Sequence, residues 1–573
     1  MKEVDISTIA VDKKAVKKMI ADFGFAPAAA STNIRIPILT PPVPQDVPGS
    51  DPEPVYSSAD QDDIQGNIIP GFNKDHQHFL FYTIGDTKAC KEFLNWIVPY
   101  LASMEEVLAF RRLFRSLKLR VGEPITMLCS TWINIAFSHR AISLLDSKQS
   151  ADSFGDQSFR QGLAQRSAYL GDPVDKTHKG HSSRWVVGGP ENEAEIIITV
   201  ASDSIALLDE TCDFVNKKAA SAGMTRVFEQ RGQTLPGDYR GHEHFGFKDG
   251  VSQPGIRGKL STAPGDYITP RYYANTDSRR FYFGKPGQLM AWPGQFLLGE
   301  QRQNTEHLYH PAPPAANFPS WAAKGSYLVV RRLQQDVTAF WTFVAAAASQ
   351  VGLTADKVAA MLIGRWPSGA PIIREPGADN PALGEDSFAN NHFIFDDATR
   401  PSELQPIPGY AGDNFPPGMA DFLATVCPHF AHIRKVNPRD SATDLGKPSD
   451  NLIRMFLRRG IPFGAPVIGV KNPSKDLLEQ ERGLMFISYG SSIEDQFEFV
   501  QRRWSNIPVQ PNMGGHDPII GQNGGAADRK RFIDFPTTSG PIRISFNEEW
   551  VTPTGGGYFF APAITVIRTV LAK

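Results

Sequence analysis

The chain has 573 residues, 41% of them hydrophobic, with 59 Lys and Arg against 61 Asp and Glu and a formal net charge of -2. Nothing in that balance suggests nucleic acid or an anionic membrane surface as partner, and no run reaches the roughly 20 apolar residues that span a bilayer. Four widely spaced cysteines, Cys90, Cys129, Cys212 and Cys427, form no C-x-x-C pair and exclude a disulfide scaffold.

From the N-terminus, Asp12 to Phe23 reads as a short amphipathic helix. Met1 to Pro27 carries lysines and acids but no apolar core, unlike a secretory signal. The expectation is an intracellular protein, or a secreted one if a signal was removed upstream of this numbering. Ala26 to about Asp60 is rich in Pro, Ser and Ala and predicts an extended arm. His78–Ile84 predicts a strand, with Asp86 capping a helix through Leu94, Ile97 and Leu101. Met127–Phe137 and Ile196–Val200 predict buried strands, Asp203–Ala222 a helix, and Arg226–Phe228 a returning strand.

After an irregular stretch at Gln301–Pro319 a second cycle begins. It has a strand at Ser326–Arg332, helices at Val337–Val351 and Ala355–Ile363, and strands at His392–Phe395, Leu484–Tyr489 and Gly557–Ile567. A helix at Ile493–Arg503 follows the second of these strands, and Trp366–Gly412 reads as a long insertion. The repeated strand–helix–strand rhythm predicts two α+β domains, each with helices over an antiparallel sheet. The divisions are an arm over 1–61, an N-terminal domain over 62–310 and a C-terminal domain over 311–573.

Three stretches can carry chemistry. In Gly246-Phe247-Lys248-Asp249-Gly250-Val251-Ser252-Gln253-Pro254-Gly255, glycines permit the backbone angles of a tight loop, and a carboxylate on such a loop can be held at a pocket wall with little freedom. An ordinary surface turn is the alternative. His432, in Ala431-His432-Ile433-Arg434-Lys435, lies among cations that favour the neutral imidazole a metal requires; a basic surface loop is the other reading. Arg458 and Arg459, among apolar residues, could place one guanidinium inward to stabilise an anion, or could bind a helix end. His242 and His244 flank Glu243 and could hold a metal, but no second ligand cluster accompanies them, which favours structural roles. No C-x-x-C-H occurs for covalent haem attachment.

In this order the three stretches resemble those of dye-decolorizing peroxidases. Asp63-Ile64-Gln65-Gly66-Asn67-Ile68, Gly364-Arg365-Trp366-Pro367-Ser368-Gly369, Arg482-Gly483-Leu484-Met485-Phe486, Asp517-Pro518-Ile519-Ile520-Gly521-Gln522 and Gly557-Tyr558-Phe559-Phe560-Ala561-Pro562 support the match. The likeness runs from about Asp62 to the C-terminus and is greatest to the larger, fungal-type members. It implies two ferredoxin-like domains in a dimeric-α+β-barrel-like arrangement, with one non-covalent haem b per chain. It implies a peroxidase that uses hydrogen peroxide to oxidise dyes, phenols and other aromatic reductants in one-electron steps. A haem-handling or iron-releasing protein, or a haem sensor or carrier, is the alternative on the same fold.

Carried over by position, the resemblance makes His432 the iron ligand and Asp249 with Arg458 the pair on the opposite face. Gly250, Ser252, Leu484 and Phe486 would line the cofactor site, and Arg434 would meet a haem propionate. Asp517 would take the other nitrogen of His432, with Asp528 and Asp534 in reserve. Trp504 would be an exposed relay passing electrons from bulky dyes. The chain departs from some relatives in its N-terminal arm, its longer spacing between Asp249 and His432, and Phe463 where some carry tyrosine.

Overall fold

A computed structural model of the chain describes every residue except 25–52, 122–127, 147–149, 274–277, 397–412 and 525. The chain opens with β1 (Lys2–Asp5) and α1 (Lys13–Asp22), whose first turn is capped by Asp12 accepting from the Lys14 amide at 2.8 Å. The first half then contributes β2 (His76–Ile84), α2 (Thr87–Ile97), β3 (Thr131–Phe137), β4 (Ile196–Ser202), α3 (Ile205–Ser221) and β5 (Met224–Gln233). Asp86 caps α2 as its sequence predicts, accepting from the Lys88 and Ala89 amides at 2.9 and 3.1 Å.

The second half contributes β6 (Ser326–Gln335), α4 (Val337–Val351), α5 (Ala355–Ile363), the short α6 (His432–Val436), β7 (Leu457–Arg458), β8 (Ile461–Phe463) and β9 (Gly483–Gly490). A π-wound helical stretch over Ile493–Glu498 and Val500–Ser505 follows, then β10 (Arg531–Phe535), β11 (Ile542–Phe546) and β12 (Val551–Ala561).

One antiparallel sheet runs β8-β9-β6-β12-β3-β4-β2-β5, with β7 also paired to β9. Read within each half, the order is fourth-first-third-second strand, the ferredoxin-like arrangement, and it occurs twice. The halves join where Phe560 of β12 pairs with Phe137 of β3. The two outer strands also meet: a Cβ on Gly232 of β5 would stand 2.6 Å from the Ile461 side chain of β8. The sheet therefore closes on itself as a barrel. Its interior is filled from both halves by Phe79, Phe81, Ile197, Leu328, Val330 and Phe559, all buried.

Several predicted elements change. His392–Phe395 is not a strand. The Phe395 and Asp396 amides donate to the buried Asp440 carboxylate at 2.8 and 3.0 Å, which takes the place of a neighbouring strand. The last strand runs Val551–Ala561 rather than Gly557–Ile567, because Pro562 and Ala563 break it before a helix at Ile564. The strand predicted from Met127 begins at Thr131, with residues 122–127 outside the described set. The predicted insertion opens with core residues: Trp366, Ala370, Ile372 and Ile373 are buried.

The arm reading of residues 1–61 also changes at its start, while the extended reading of Ala26 to Asp60 falls largely outside the described residues. β1 pairs in parallel with β11, at the edge of a sheet completed by β10. Val16, Ile20 and Phe23 join a core cluster with α4 and α5. Phe23 packs on Trp341 with ring centroids 5.0 Å apart, and the carbonyls of Ile20 and Phe23 accept from the Gly469 amide and the Tyr239 hydroxyl. Replacing a buried Phe by Ala typically costs about 3–5 kcal/mol. Phe23→Ala should therefore free this segment, read as faster hydrogen exchange at the Gly469 amide with the β2–β4 amides unchanged. Unchanged protection at Gly469 would show that the segment is held without Phe23.

Candidate functional site

A cavity of ≈ 280 Å³ opens on the outer face of the C-terminal strands. Side chains alternate along a strand, and alternate residues line it: Arg331, Leu333 and Gln335 from β6, Leu484 and Phe486 from β9, Val551 and Pro553 from β12. The intervening Val330, Met485 and Ile487 point into the barrel. A bulge between Pro553 and Gly555 reverses this alternation on β12, so that Pro553 faces the cavity while Phe559 faces the barrel. The Asp249 loop, α6 and the π-wound helix close the remaining walls.

The Asp249 loop is held from behind. Gly246 has φ +100, a region that favours glycine, and a Cβ there would meet the Phe23 ring at 2.4 Å. Glu243 accepts from the amides of Phe245 at 2.8 Å and Phe247 at 3.0 Å, and from the Gln335 amide at 2.5 Å. Burial pushes the Glu243 carboxyl up to about 7 despite those donors, with the Asp249 charge adding to the rise. Asp249 itself is 40% exposed, and its Oδ1 accepts from Arg458 at 3.2 Å. A second Arg458 nitrogen donates to the Ser252 carbonyl at 2.8 Å. Gln253 and the Arg458 backbone exchange two hydrogen bonds at 3.2 Å, tying the loop to β7. Gly250 and Ser252 lie on the same wall.

On α6, His432 lines the cavity and its Nδ1 is 2.8 Å from Asp517 Oδ2. The other Asp517 oxygen accepts from the Ile519 and Ile520 amides at 2.8 and 3.1 Å. Burial disfavours the imidazolium, but the Asp517 charge and hydrogen bond outweigh it and raise His432 above its ordinary range. Burial likewise opposes the Asp517 carboxylate, and His432 with the two amides holds it low. The reserve acids are engaged elsewhere: Asp534 pairs with Arg543 at 2.7 Å and Asp528 accepts from the Lys530 amide.

Arg434 does not reach this cavity. Two positions along a helix point to opposite sides, so with His432 facing in, Arg434 faces out. It donates to the carbonyls of Asp421 at 3.0 Å and Cys427 at 2.8 Å and lies over Phe395. Arg365, Arg439 and Arg454 stand on the wall instead. Arg365 and Arg439 bond to carbonyl groups and the Asn391 amide, with no carboxylate partner among the described residues. Burial pushes them down to about 9 and about 10. The sequence carried a signal for both. Arg365 lies in a motif-matching stretch, and Arg439 is three residues beyond the α6 helix.

Trp504 is also placed otherwise than expected. It lines the cavity but is 1% exposed, with Nε1 donating to Asp444 at 3.2 Å and its ring edge-on to Phe499. Direct contact with a bulky dye at the surface is closed to it. His242 and His244 bond to the carbonyls of Pro367 at 3.1 Å and Phe463 at 2.8 Å. Among the described residues no group of three or more His, Cys, Asp and Glu side chains could hold a metal.

The donor set is thus one imidazole with its Nδ1 engaged, apolar walls and several guanidinium groups. Arg454 Nε and Gln335 Oε1, both on the lining, are buried without a partner. This chemistry fits haem: a flat apolar group whose iron takes one imidazole and whose carboxylates need cations.

Residues 63–236 match the family described as DyP dimeric alpha+beta barrel domain, and residues 300–512 match Dyp-type peroxidase, C-terminal. The chain is 32% identical to a dye-decolorizing peroxidase of Exidia glandulosa, covering 90% of this chain and 88% of that protein. It is 30% identical to one of Auricularia auricula-judae, covering 97% and 94%. Among solved structures, an ancestral D-type dye decolorizing peroxidase aligns with a TM-score of 0.69 at 30% identity, over 90% of this chain and 99% of that one. A dye-decolorizing peroxidase in complex with 2,6-dimethoxyphenol aligns at 0.64 and 29%, over 90% and 99%.

Glu243 gives a test of how the loop is held. Its carboxyl is raised in the folded chain, from 4.5 to about 7. The folded state therefore keeps a proton that the unfolded chain loses, and stability falls as pH rises through that window, then levels off. Glu243→Gln should remove this component, so that its denaturation midpoint falls less between pH 4.5 and 7. Parallel curves for the two proteins would show that Glu243 does not titrate as its surroundings imply.

Proposed function

This chain belongs to the dye-decolorizing peroxidase family, and from that premise we propose what each residue of the cavity does. The chain is a haem-dependent peroxidase that uses hydrogen peroxide to oxidise dyes, phenols and other aromatic reductants. The finer assignment is one non-covalent haem b per chain, bound through His432 Nε2. What supports this is the engagement of the other ring nitrogen by Asp517 in a wall that also carries Arg365, Arg439 and Arg454. We assign the haem carboxylates to these cations in place of Arg434. When bound, haem supplies the redox centre at which peroxide is reduced and to which aromatic donors give electrons.

The observation that carries the catalytic reading is the contact of Asp249 with Arg458 at the cavity that His432 also lines. Asp249 takes a proton from the near oxygen of peroxide and returns it to the far oxygen, which leaves as water. Arg458 is fixed by the Ser252 carbonyl and by Gln253, and its charge stabilises the negative charge that develops as the O–O bond breaks. Asp517 fixes the tautomer and orientation of His432 and makes its free nitrogen a stronger donor. A carrier or sensor has no use for a proton acceptor and a guanidinium on that side of the site.

His432→Ala should fold and hold little haem, seen as loss of the Soret band after reconstitution. Asp249→Asn and Arg458→Leu should keep haem but slow the reaction with peroxide by about 10²–10⁴-fold and 10²–10³-fold. Stopped-flow rates near wild type in both variants would overturn the assignment of the pair. Full haem retention in His432→Ala would overturn that of the ligand.

A further inference from the structure

Beside this cavity lies a second of ≈ 320 Å³, which shares Asp249, Gly250, Gln253, Arg458 and Leu484 with it. Its far wall carries Arg111, from the helix Met104–Val121, and Arg459. Arg111 donates to the Gly71 carbonyl at 2.7 Å. Arg459 donates to the carbonyls of Asn67 at 3.1 Å, Ile68 at 2.9 Å and Arg458 at 2.9 Å. All these acceptors are backbone oxygens, and among the described residues no carboxylate pairs with either guanidinium. Two other cations of the lining differ: Lys74 binds Asp203 and the Ser130 hydroxyl, and Arg458 binds Asp249.

Two guanidinium groups without a counter-charge in a partly buried cavity are costly unless an anion joins them. Burial pushes both down to about 10, and the Arg111 charge adds to the depression of Arg459. The lining also carries Asp249, whose charge is met by Arg458, and Glu243, whose carboxyl burial raises to about 7. Phe72, Ile461, Pro462 and Leu484 give the lining an apolar part. Among the described residues of this lining, the Arg111 and Arg459 guanidinium groups are therefore the cations without a carboxylate partner, which sets the class of ligand.

We propose that this second cavity binds aryl carboxylate reductants, the carboxylate between Arg111 and Arg459 and the ring toward Asp249 and Arg458. The guanidinium fork matches a carboxylate in geometry as well as charge. The inference rests on the peroxidase reading above, and it deepens that reading by naming a substrate class.

The test uses haem-loaded protein with peroxide and two donors that differ in one charge, 4-hydroxybenzoate and phenol. Arg111→Gln should raise the KM for 4-hydroxybenzoate about tenfold or more, the size expected for a lost charged hydrogen bond, and leave that for phenol unchanged. Arg111→Lys, which keeps the charge, should retain most of the preference. Added salt should raise the 4-hydroxybenzoate KM of the parent protein and not that of phenol. Equal changes for both donors, or none for either, overturn the proposal. Calorimetric binding of benzoate without peroxide reads the site apart from turnover. Benzoate binding unaffected by Arg111→Gln overturns the anion site. Benzoate binding that does depend on Arg111 in a protein that oxidises neither donor keeps the site and overturns the catalytic reading.

Discussion

Side-chain alternation on β6, β9 and β12 divides this molecule into a closed interior and an open site. Val330 and Ile487 fill the barrel, and their neighbours Arg331 and Phe486 form the wall of the cavity. A shift of one residue in strand register would exchange the two sets, so barrel packing and cavity chemistry are fixed together. The bulge on β12 matters for the same reason. Without it, Pro553 and Phe559 would share a face, and either Phe559 would leave the barrel or Pro553 would leave the cavity.

The two ends of the site are held by different means. His432 is set by one buried carboxylate that is itself fixed by two amides, a local arrangement within the C-terminal half. The Asp249 loop has almost no regular structure. It depends on Glu243 beneath it, on Phe23 behind Gly246 and on Gln253 at its side. These contacts come from the N-terminal segment, the first half and the second half, so the position of Asp249 reports the assembly of the whole chain.

The parts of the site legible in the sequence were those written locally. Asp249, His432 and Arg458 each stood out among their neighbours, but each kept a bland alternative until the three stretches, taken in order, resembled those of one family. Arg434 could not be placed, because its direction depends on the helical phase that His432 sets. The basic residues beside Trp504 suggested solvent, yet Arg503 turns to Asp444 and Arg502 to Tyr169, leaving the indole buried between elements. The strand rhythm of both halves was legible, since buried strands are β-branched and aromatic. His392–Phe395 has the same composition, but its amides find a carboxylate instead of a strand, which composition cannot reveal. The apolar face of α1 announced that the helix packs, without saying that it packs behind the Asp249 loop.

The joining of β12 to β3 has a further consequence. Two copies of a four-strand unit that met as separate chains would form this barrel only above some protein concentration, with the loss of their independent translation opposing them. Here both units are on one chain, so each meets the other at a fixed effective concentration however dilute the protein becomes. Freed from identity with its mate, the first unit can keep α2 and α3 against its own strands, while the second leaves its outer face open for chemistry. With the seam inside a single chain, two like folds can differ, and the cavity lined by His432 lies on the second of them.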